Sequence, residues 1–187
     1  MKKYYRKVFL FLLLLSFLVL LFTMLYFFSP EEIINKIGVR NAFLFLFVIS
    51  FFGGFSAFGS VSFIATLITF TLGGLNPIYL GLIAGTALVI GDLIMFYIGS
   101  KGRELVVGKW EKRIDSVSKF VKKRAGRFIP VLAYIYIGFV PLPNDVLILF
   151  LAGIEYPRKK IYLPIILGDL TFTFLVVILT LNGIFLF

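Results

Sequence analysis

The sequence predicts an all-α membrane protein made of two inverted repeats, each a re-entrant helical hairpin followed by a transmembrane helix. Of its 187 residues, 60% are hydrophobic and the mean hydropathy is +1.05, which is membrane composition. The 19 basic residues flank apolar segments, as the positive-inside rule describes. Two apolar segments are interrupted by Gly, Pro or Asp, and the pieces on either side are too short to cross ~30 Å of hydrocarbon.

The composition excludes several classes of function. The chain has no Cys and no His, so it lacks thiol chemistry, disulfides and the commonest metal ligand. A zinc hydrolase and a Ser-His-Asp enzyme are therefore excluded, and we expect no metal and no cofactor. The net charge of +10 comes from residues beside apolar segments instead of a folded basic face, so we expect no nucleic-acid partner. Membrane lipids are the expected partners, and the sequence leaves a homo-oligomer open.

Residues 8–28 form an apolar run long enough for a first transmembrane helix, which precedes the two repeats. A signal peptide is the alternative, but its apolar region would have roughly 7–15 residues and a small-residue cleavage site would follow. We predict an uncleaved span, with the basic N-terminus MKKYYRK on the cytoplasmic side. The charge-balanced segment 29–41 is then an outside loop, in which Ser-Pro-Glu-Glu is typical of a helix start.

Residues 42–72 are predicted to form the first re-entrant hairpin. The segment FFGGFSAFGS interrupts it, and Gly53, Gly54 and Gly59 would let the backbone of this tip approach a ligand. About 11–12 residues on each side reach only ~18 Å, which is too short for a crossing. Two complete membrane crossings here would leave the orientation of every later segment unchanged. The short length of the two arms is therefore the only observation that favours a hairpin.

A long apolar segment, residues 78–98, is predicted to cross the membrane towards a basic cytoplasmic stretch. Within that stretch, apolar residues recur at helical spacing from Val106 to Val121, while Lys and Arg occupy the other faces. This pattern predicts an amphipathic helix over 103–125 that lies on the cytoplasmic surface of the membrane.

The second predicted hairpin, residues 128–153, enters from the cytoplasmic side and returns to it. Pro141 and Pro143 break its helix, and the return arm has about seven residues, or ~10 Å. Residues 161–183 then form the last span. The result is a multi-pass protein of the plasma membrane with a cytoplasmic N-terminus and the C-terminus outside.

An internal repeat supports this arrangement. Gly74 lies 18 residues before Asp92, and Gly153 lies 16 residues before Asp169. Because the two hairpins enter from opposite faces, the pattern is typical of inverted-topology repeats whose broken helices build a transport site. Two pairs of segments correspond: LGGLNP (72–77) with LAGIEYP (151–157), and IGDLIMF (90–96) with LGDLTFTF (167–174).

The chain resembles the DedA family of small membrane proteins, whose domain is also described as VTT or SNARE-associated. The resemblance runs from about residue 47 to residue 180, and the tip PLPND is similar to that of archaeal members. It implies a flippase-like or scramblase-like protein that moves phospholipids or polyprenyl phosphates and is coupled to protons. Four segments carry it: GDLIMFYIGSKGREL (91–105), RFIPVLAYI (127–135), PLPNDVLILFLAG (141–153) and YPRKKIYLPIILGDL (156–170).

The sequence departs from the family pattern in two places. Many relatives have a Glu and Pro-x-Pro at the first tip, where this chain has GGFSAFGS, and many have a second Arg at the position of Ala133. A mechanism that needs that Glu or that Arg is therefore not transferred to this chain.

The hairpin tips are the candidate substrate site. Ser60 or Ser62 would cap the half-helix that follows the first tip, and Asn144 or Asp145 the half-helix that follows the second. Helix N-termini carry partial positive charge and free N–H groups, which suit the phosphate of a lipid head group. Arg127 would gather that phosphate from the cytoplasmic leaflet; the alternative is that it only snorkels to the interface.

Three ionisable residues lie inside the predicted hydrocarbon layer: Asp92, Asp145 and Asp169. A carboxylate there is unfavourable by about 2.5–3.5 kcal/mol, and burial disfavours its charged form. We therefore predict that these residues exchange protons during transport. The alternatives are a capping role for Asp145 and buried hydrogen bonds for Asp92 and Asp169.

These observations favour a lipid translocator that is not an enzyme. Intramembrane aspartyl proteases also use paired Asp residues, but VIGD at 89–92 and ILGD at 166–169 do not fit their Gly-x-Gly-Asp motif. A membrane scaffold or assembly factor without transport activity is the main alternative, and the sequence does not exclude it.

Overall fold

A computed structural model describes residues 30–54, 57–103, 126–141 and 144–183, together with residues 114–116, 118–119, 121 and 123. These residues form helices and turns and contain no strand, which confirms the predicted all-α class. The predicted span at 8–28 and residues 104–113 of the predicted amphipathic helix lie outside this part of the chain. The described residues include seven helices: α1 (Pro30–Ile37), α2 (Val39–Gly53), α3 (Ala57–Leu72), α4 (Pro77–Arg103), α5 (Ile129–Phe139), α6 (Asn144–Gly153) and α7 (Arg158–Leu181).

Two helices, α4 and α7, are long and apolar enough to cross a membrane. The apolar part of α4 has 26 residues with a mean hydropathy of 2.0, and α7 has 24 residues with a mean hydropathy of 2.2. At about 1.5 Å per residue, both exceed ~30 Å of hydrocarbon, and together they indicate a membrane protein. Asn76 caps the start of α4, because its side-chain oxygen accepts hydrogen bonds from the amides of Ile78 at 3.0 Å and Tyr79 at 3.3 Å.

Each predicted hairpin region contains a pair of shorter apolar helices. α2 and α3 have 15 and 16 residues, or about 22–24 Å, and α5 and α6 have 11 and 10 residues, or about 15–17 Å. All four are shorter than ~30 Å of hydrocarbon. The first pair is longer than the sequence predicts, because α2 continues through Gly53 and α3 already begins at Ala57.

The second helix of each pair ends in the same turn. Gly74 after α3 and Glu155 after α6 both have left-handed backbone angles, with φ of 78° and 54°. In each case the next amide closes the turn: Leu75 donates to the Phe70 carbonyl at 3.3 Å, and Tyr156 donates to the Leu151 carbonyl at 2.9 Å. The structure thus pairs Gly74 with Glu155, which corrects the predicted pairing of Gly74 with Gly153.

α4 and α7 pack against each other through small residues. A Cβ atom added to Gly81 would lie 2.6 Å from the Phe174 ring, and one added to Gly85 would lie 2.7 Å from Leu170. The Thr173 hydroxyl donates a hydrogen bond to the Gly81 carbonyl at 3.0 Å across the same contact. The close approach of the two long helices therefore depends on the missing side chains at Gly81 and Gly85.

The shorter helices are distributed over the two long helices in a crossed pattern. α2 packs on α4 and α5 packs on α7, so the first helix of each pair lies on the long helix that follows it in the chain. By contrast, α3 packs on α7 and α6 packs on α4, so the second helix of each pair contacts the long helix of the other half. Both halves of the chain therefore pack on the two long helices in the same way, whereas α2 and α3 also pack closely on each other and α5 and α6 hardly touch.

The described part of residues 114–126 is attached to the end of α6. The Ser118 hydroxyl donates to the Ile154 carbonyl at 2.7 Å, and the Tyr156 hydroxyl donates to the Gly126 carbonyl at 2.8 Å. Burial raises the pKa of the Tyr156 phenol above its ordinary value, so this hydroxyl stays a donor at neutral pH. These bonds bring the basic segment next to the start of α7.

Candidate functional site

Two carboxyl groups from the long helices meet at one buried point. Asp92 on α4 and Asp169 on α7 are both 0% exposed, and their side chains lie within interaction distance of each other. The amide nitrogen of Asn144, the first residue of α6, donates to Asp92 Oδ2 at 3.4 Å and to Asp169 Oδ1 at 3.3 Å. An amide NH₂ has two hydrogens and can serve both acceptors, although both bonds are long. We call Asp92, Asp145, Asp169 and Asn144 the acidic cluster.

The glycine before each of these aspartates allows a short helix to reach the cluster. A Cβ atom added to Gly91 would lie 2.5 Å from the Phe51 carbonyl oxygen near the end of α2. One added to Gly168 would lie 2.6 Å from Ile137 near the end of α5. The repeated Gly-Asp pair therefore has the same packing role in both halves, in which the glycine admits the end of the first short helix.

Gly54, the residue after α2, lies directly against the Asp92 carboxyl group. A Cβ atom added at Gly54 would lie 2.6 Å from Asp92 Oδ1 and 3.0 Å from the Asp92 amide nitrogen. No side chain fits between the end of α2 and the cluster. The first predicted tip is thus in contact with the aspartate of its own half.

Several oxygen atoms of the cluster have no hydrogen-bond partner among the described residues. They are Asp92 Oδ1, Asp145 Oδ1 and Asp169 Oδ2. Buried carboxylate oxygens normally have a donor or a cation beside them, because leaving them unpaired is unfavourable by several kcal/mol. Neither Asp92 nor Asp169 forms an ion pair within the part of the chain that the structure describes.

The electrostatics of the cluster favour a bound positive charge. Asp145, in the first turn of α6, is close enough to repel Asp92. α2 and α5 both end near the cluster, and helix C-termini carry partial negative charge. Two carboxyl groups side by side cannot both stay ionised in a dry site at low cost. The arrangement can therefore hold a proton or another small cation.

The predicted caps of α3 are wrong. Ser60 and Ser62 lie inside α3, which begins at Ala57, and Gly59 is also within this helix. The Ser60 hydroxyl donates to the Gly53 carbonyl at 3.1 Å and so joins the start of α3 to the end of α2. The sequence placed the helix start too late because Gly and Ser are weak helix formers, whereas packing on the long helices stabilises them here.

At the second tip, Asn144 and Asp145 form the first turn of α6, as the predicted half-helix start requires. The Asn144 amide nitrogen, however, faces the two carboxyl groups. Pro141 is exposed, and Pro143 lies outside the described residues. Sequence reasoning missed the bridging role of Asn144, because an Asn after a Pro is equally typical of a simple cap.

Arg127 is not part of the acidic cluster. It is exposed, in the turn of residues 126–128 that precedes α5. Arg127 and Asp145 form no ion pair in the described part of the chain. Ser50 is a further buried polar residue that the sequence did not single out. Its hydroxyl has no partner among the described residues. The one sequence feature that could have pointed to it is that it is a single Ser within an apolar segment.

Comparison with known proteins finds no match: no family model, no curated protein and no solved structure is similar to this chain at a significant level.

Proposed function

We propose that this chain is a DedA-like lipid translocator that moves a phospholipid or a polyprenyl phosphate between leaflets and couples this to protons. The observation that carries the proposal is the acidic cluster, in which one aspartate from each long helix and the start of a short helix meet. Burying a carboxyl group inside a membrane protein is energetically unfavourable, and such groups are therefore found mainly where they have a function. Proton exchange is the simplest function for such a pair.

The depth of the cluster supports re-entrant hairpins. Asp92 is the sixteenth of 27 residues in α4 and Asp169 is the twelfth of 24 in α7, so both lie near mid-helix. α2 ends and α6 begins beside these residues. If the long helices span the bilayer as proposed, the ends of these two short helices lie near its midplane. Short helices that stop at this depth favour hairpins over complete spans.

The crossed packing supports inverted repeats. A two-fold relation between residues 39–103 and 129–181 predicts that the packing of the short helices on the long helices recurs in both halves. The pairs α2 with α4 and α5 with α7 match this prediction, and so do α3 with α7 and α6 with α4. Such repeats allow one half to rock against the other around a central site, which is how many transporters alternate access.

The charge of the acidic cluster suggests how protonation could drive a transport cycle. Protonation of the cluster removes negative charge beside the start of α6, so that a lipid phosphate can approach the free N–H groups of that helix. Exposed Arg127 would attract the phosphate at the cytoplasmic entrance. Loss of the proton would restore repulsion and release the head group.

Fluorescent-lipid translocation in reconstituted vesicles tests the proposal. Asp92→Asn and Asp169→Asn should each reduce the initial rate at least tenfold, because neither side chain can then exchange a proton. Asp115→Asn, which changes an exposed carboxyl outside the cluster, is the matched control and should keep the wild-type rate. Wild-type rates from both cluster variants would refute proton coupling through these residues.

A scaffold without transport activity is the second candidate, and one observation favours it. Asp92 and Asp169 are closed off from solvent, whereas a transporter open to water would expose its site. Unpaired buried oxygens argue the other way, since a protein that only packs gains nothing from them. A protein that moves none of the lipids tested, even in its wild-type form, would favour the scaffold.

An intramembrane protease is a further alternative function, because aspartyl proteases also have two carboxyl groups that share a proton. We propose that the chain is not an enzyme, since neither Gly-Asp motif fits that class. Cleavage of a membrane-spanning peptide by the purified protein, lost in Asp92→Asn, would contradict this.

A further inference from the structure

We propose that the acidic cluster binds a sodium ion, held between the carboxyl groups of Asp92 and Asp169. The inference rests on the site assigned under the proposed function, and it names a second cation for the same carboxyl pair. Four features carry it: unpaired oxygen ligands, the two helix C-termini nearby, the absence of a basic partner among the described residues and the number of carboxyl groups.

The ligands are hard oxygen atoms without donors. Asp92 Oδ1 and Asp169 Oδ2 are buried and have no partner among the described residues, while the other oxygen of each pair accepts from Asn144. The Ser50 hydroxyl, also fully buried and without a partner there, lies one turn before Gly54, whose backbone touches Asp92. Oxygen ligands of this kind suit hard cations.

Two helix C-termini beside the carboxyl groups add negative charge, and the N-terminus of α6 at Asn144 adds positive partial charge. α2 ends at Gly53 beside Asp92, and α5 ends at Phe139, just after Gly138, which lies against Gly168. The carbonyl ends of two helices therefore add negative partial charge to that of the carboxyl groups. Ends of broken helices coordinate sodium in this way in other membrane transporters.

No basic side chain among the described residues forms an ion pair with either carboxyl group. On α4 and α7 the nearest basic residues in sequence are Lys101 and Lys160, each nine residues from its aspartate, or about 13 Å along the helix. Asn144 contributes a neutral amide. The positive charge at this site is therefore supplied by a proton shared between the two carboxyl groups or by a bound cation.

Only two of the three carboxyl groups in the cluster, those of Asp92 and Asp169, share the Asn144 amide, and this number favours a monovalent cation. Among the described residues no three acidic, His or Cys side chains converge as a metal-ligand group. Calcium sites take 6–8 oxygen ligands, several of them carboxylates, and magnesium keeps several waters. The carboxyl groups of Asp92 and Asp169 supply too few ligands for either divalent ion and suit a single small monovalent ion.

Thermal unfolding of the purified protein in detergent tests the inference. Sodium chloride is exchanged for choline chloride at constant ionic strength, so that only sodium binding changes. We expect the midpoint temperature to rise with sodium concentration and to saturate. Asp92→Asn and Asp169→Asn should abolish the rise, whereas Asp115→Asn should keep it. Superimposable curves in sodium and choline would overturn the inference, as would an unchanged sodium response in both cluster variants.

Retention of radioactive sodium by the wild-type protein gives a second readout that needs no variant. Unlabelled sodium chloride should displace the label and choline chloride should not; absence of retained label would contradict the inference. Both measurements are made without lipid transport. If the protein binds no sodium but still translocates lipid, sodium binding alone is contradicted. If it binds sodium but moves no lipid, the proposed lipid transport alone is contradicted.

Discussion

Asn144 is the residue on which the acidic cluster depends most directly, because its amide group donates to both buried carboxyl groups. Asn144→Ala removes that donor, and we expect a loss of about 1–3 kcal/mol in the free energy of unfolding. Asn144→Asp adds a third carboxyl group at the same point and should be more destabilising still. Chemical unfolding in detergent measures both. Equal stabilities for wild type, Asn144→Ala and Asn144→Asp would show that Asn144 does not support the cluster.

Gly54 offers a test of the contact between the first tip and Asp92. Gly54→Ala places a methyl group 2.6 Å from Asp92 Oδ1, so the end of α2 has to move, and overpacking of this kind is unfavourable by about 1–3 kcal/mol. Gly102→Ala is the matched control, because a Cβ atom there meets nothing within 4 Å. We expect slower lipid translocation and lower stability for Gly54→Ala only. The same behaviour of the two variants would argue against the contact.

At the scale of the elements, the turns after α3 and α6 make opposite demands on the two equivalent positions. Glu155 has a left-handed φ of 54°, which glycine adopts more readily, so Glu155→Gly should stabilise the protein by about 1 kcal/mol. Gly74 has φ of 78°, and Gly74→Ala should destabilise by a similar amount. Thermal unfolding of both variants measures the signs. A loss of stability in Glu155→Gly would contradict the equivalence of the two turns.

The sequence predicted the elements better than their ends. The two long helices and the two breaks were readable, because length and helix-breaking residues are local signals. The start of α3 was not predicted, because the packing of α3 on α7 outweighs the weak helix propensity of its Gly and Ser residues. At the site, the two Gly-Asp pairs were readable as a repeat. The Asn144 bridge was not, because its partners lie 52 and 25 residues away in the chain.

At the scale of the whole molecule, two topologies are possible for residues 42–72, a re-entrant hairpin or two complete membrane crossings. Both leave every later segment with the same orientation. In a re-entrant hairpin, the end of α2 stays within the membrane; in two full spans, it reaches the cytoplasm. The chain has no Cys, so single cysteines can be introduced without background. Phe52 is an exposed position near the end of α2. We expect the cysteine of Phe52→Cys to remain unlabelled by an impermeant thiol reagent applied from the cytoplasmic side.

Two controls frame that measurement. Lys101→Cys, near the end of α4, should react from the cytoplasmic side, and Ile78→Cys, at its start, should react from outside. Labelling of Phe52→Cys from the cytoplasmic side, at the same level as Lys101→Cys, would establish two full spans and remove the first hairpin.

The central claim is that Asp92 and Asp169 act as one unit in lipid movement, and the double variant tests it most directly. The initial rate of fluorescent-lipid translocation is measured for wild type, Asp92→Asn, Asp169→Asn and the variant that carries both changes. Residues that share one function are not additive, so the double variant should be no slower than the slower single variant. A double variant whose loss equals the product of the two single losses would contradict a shared site.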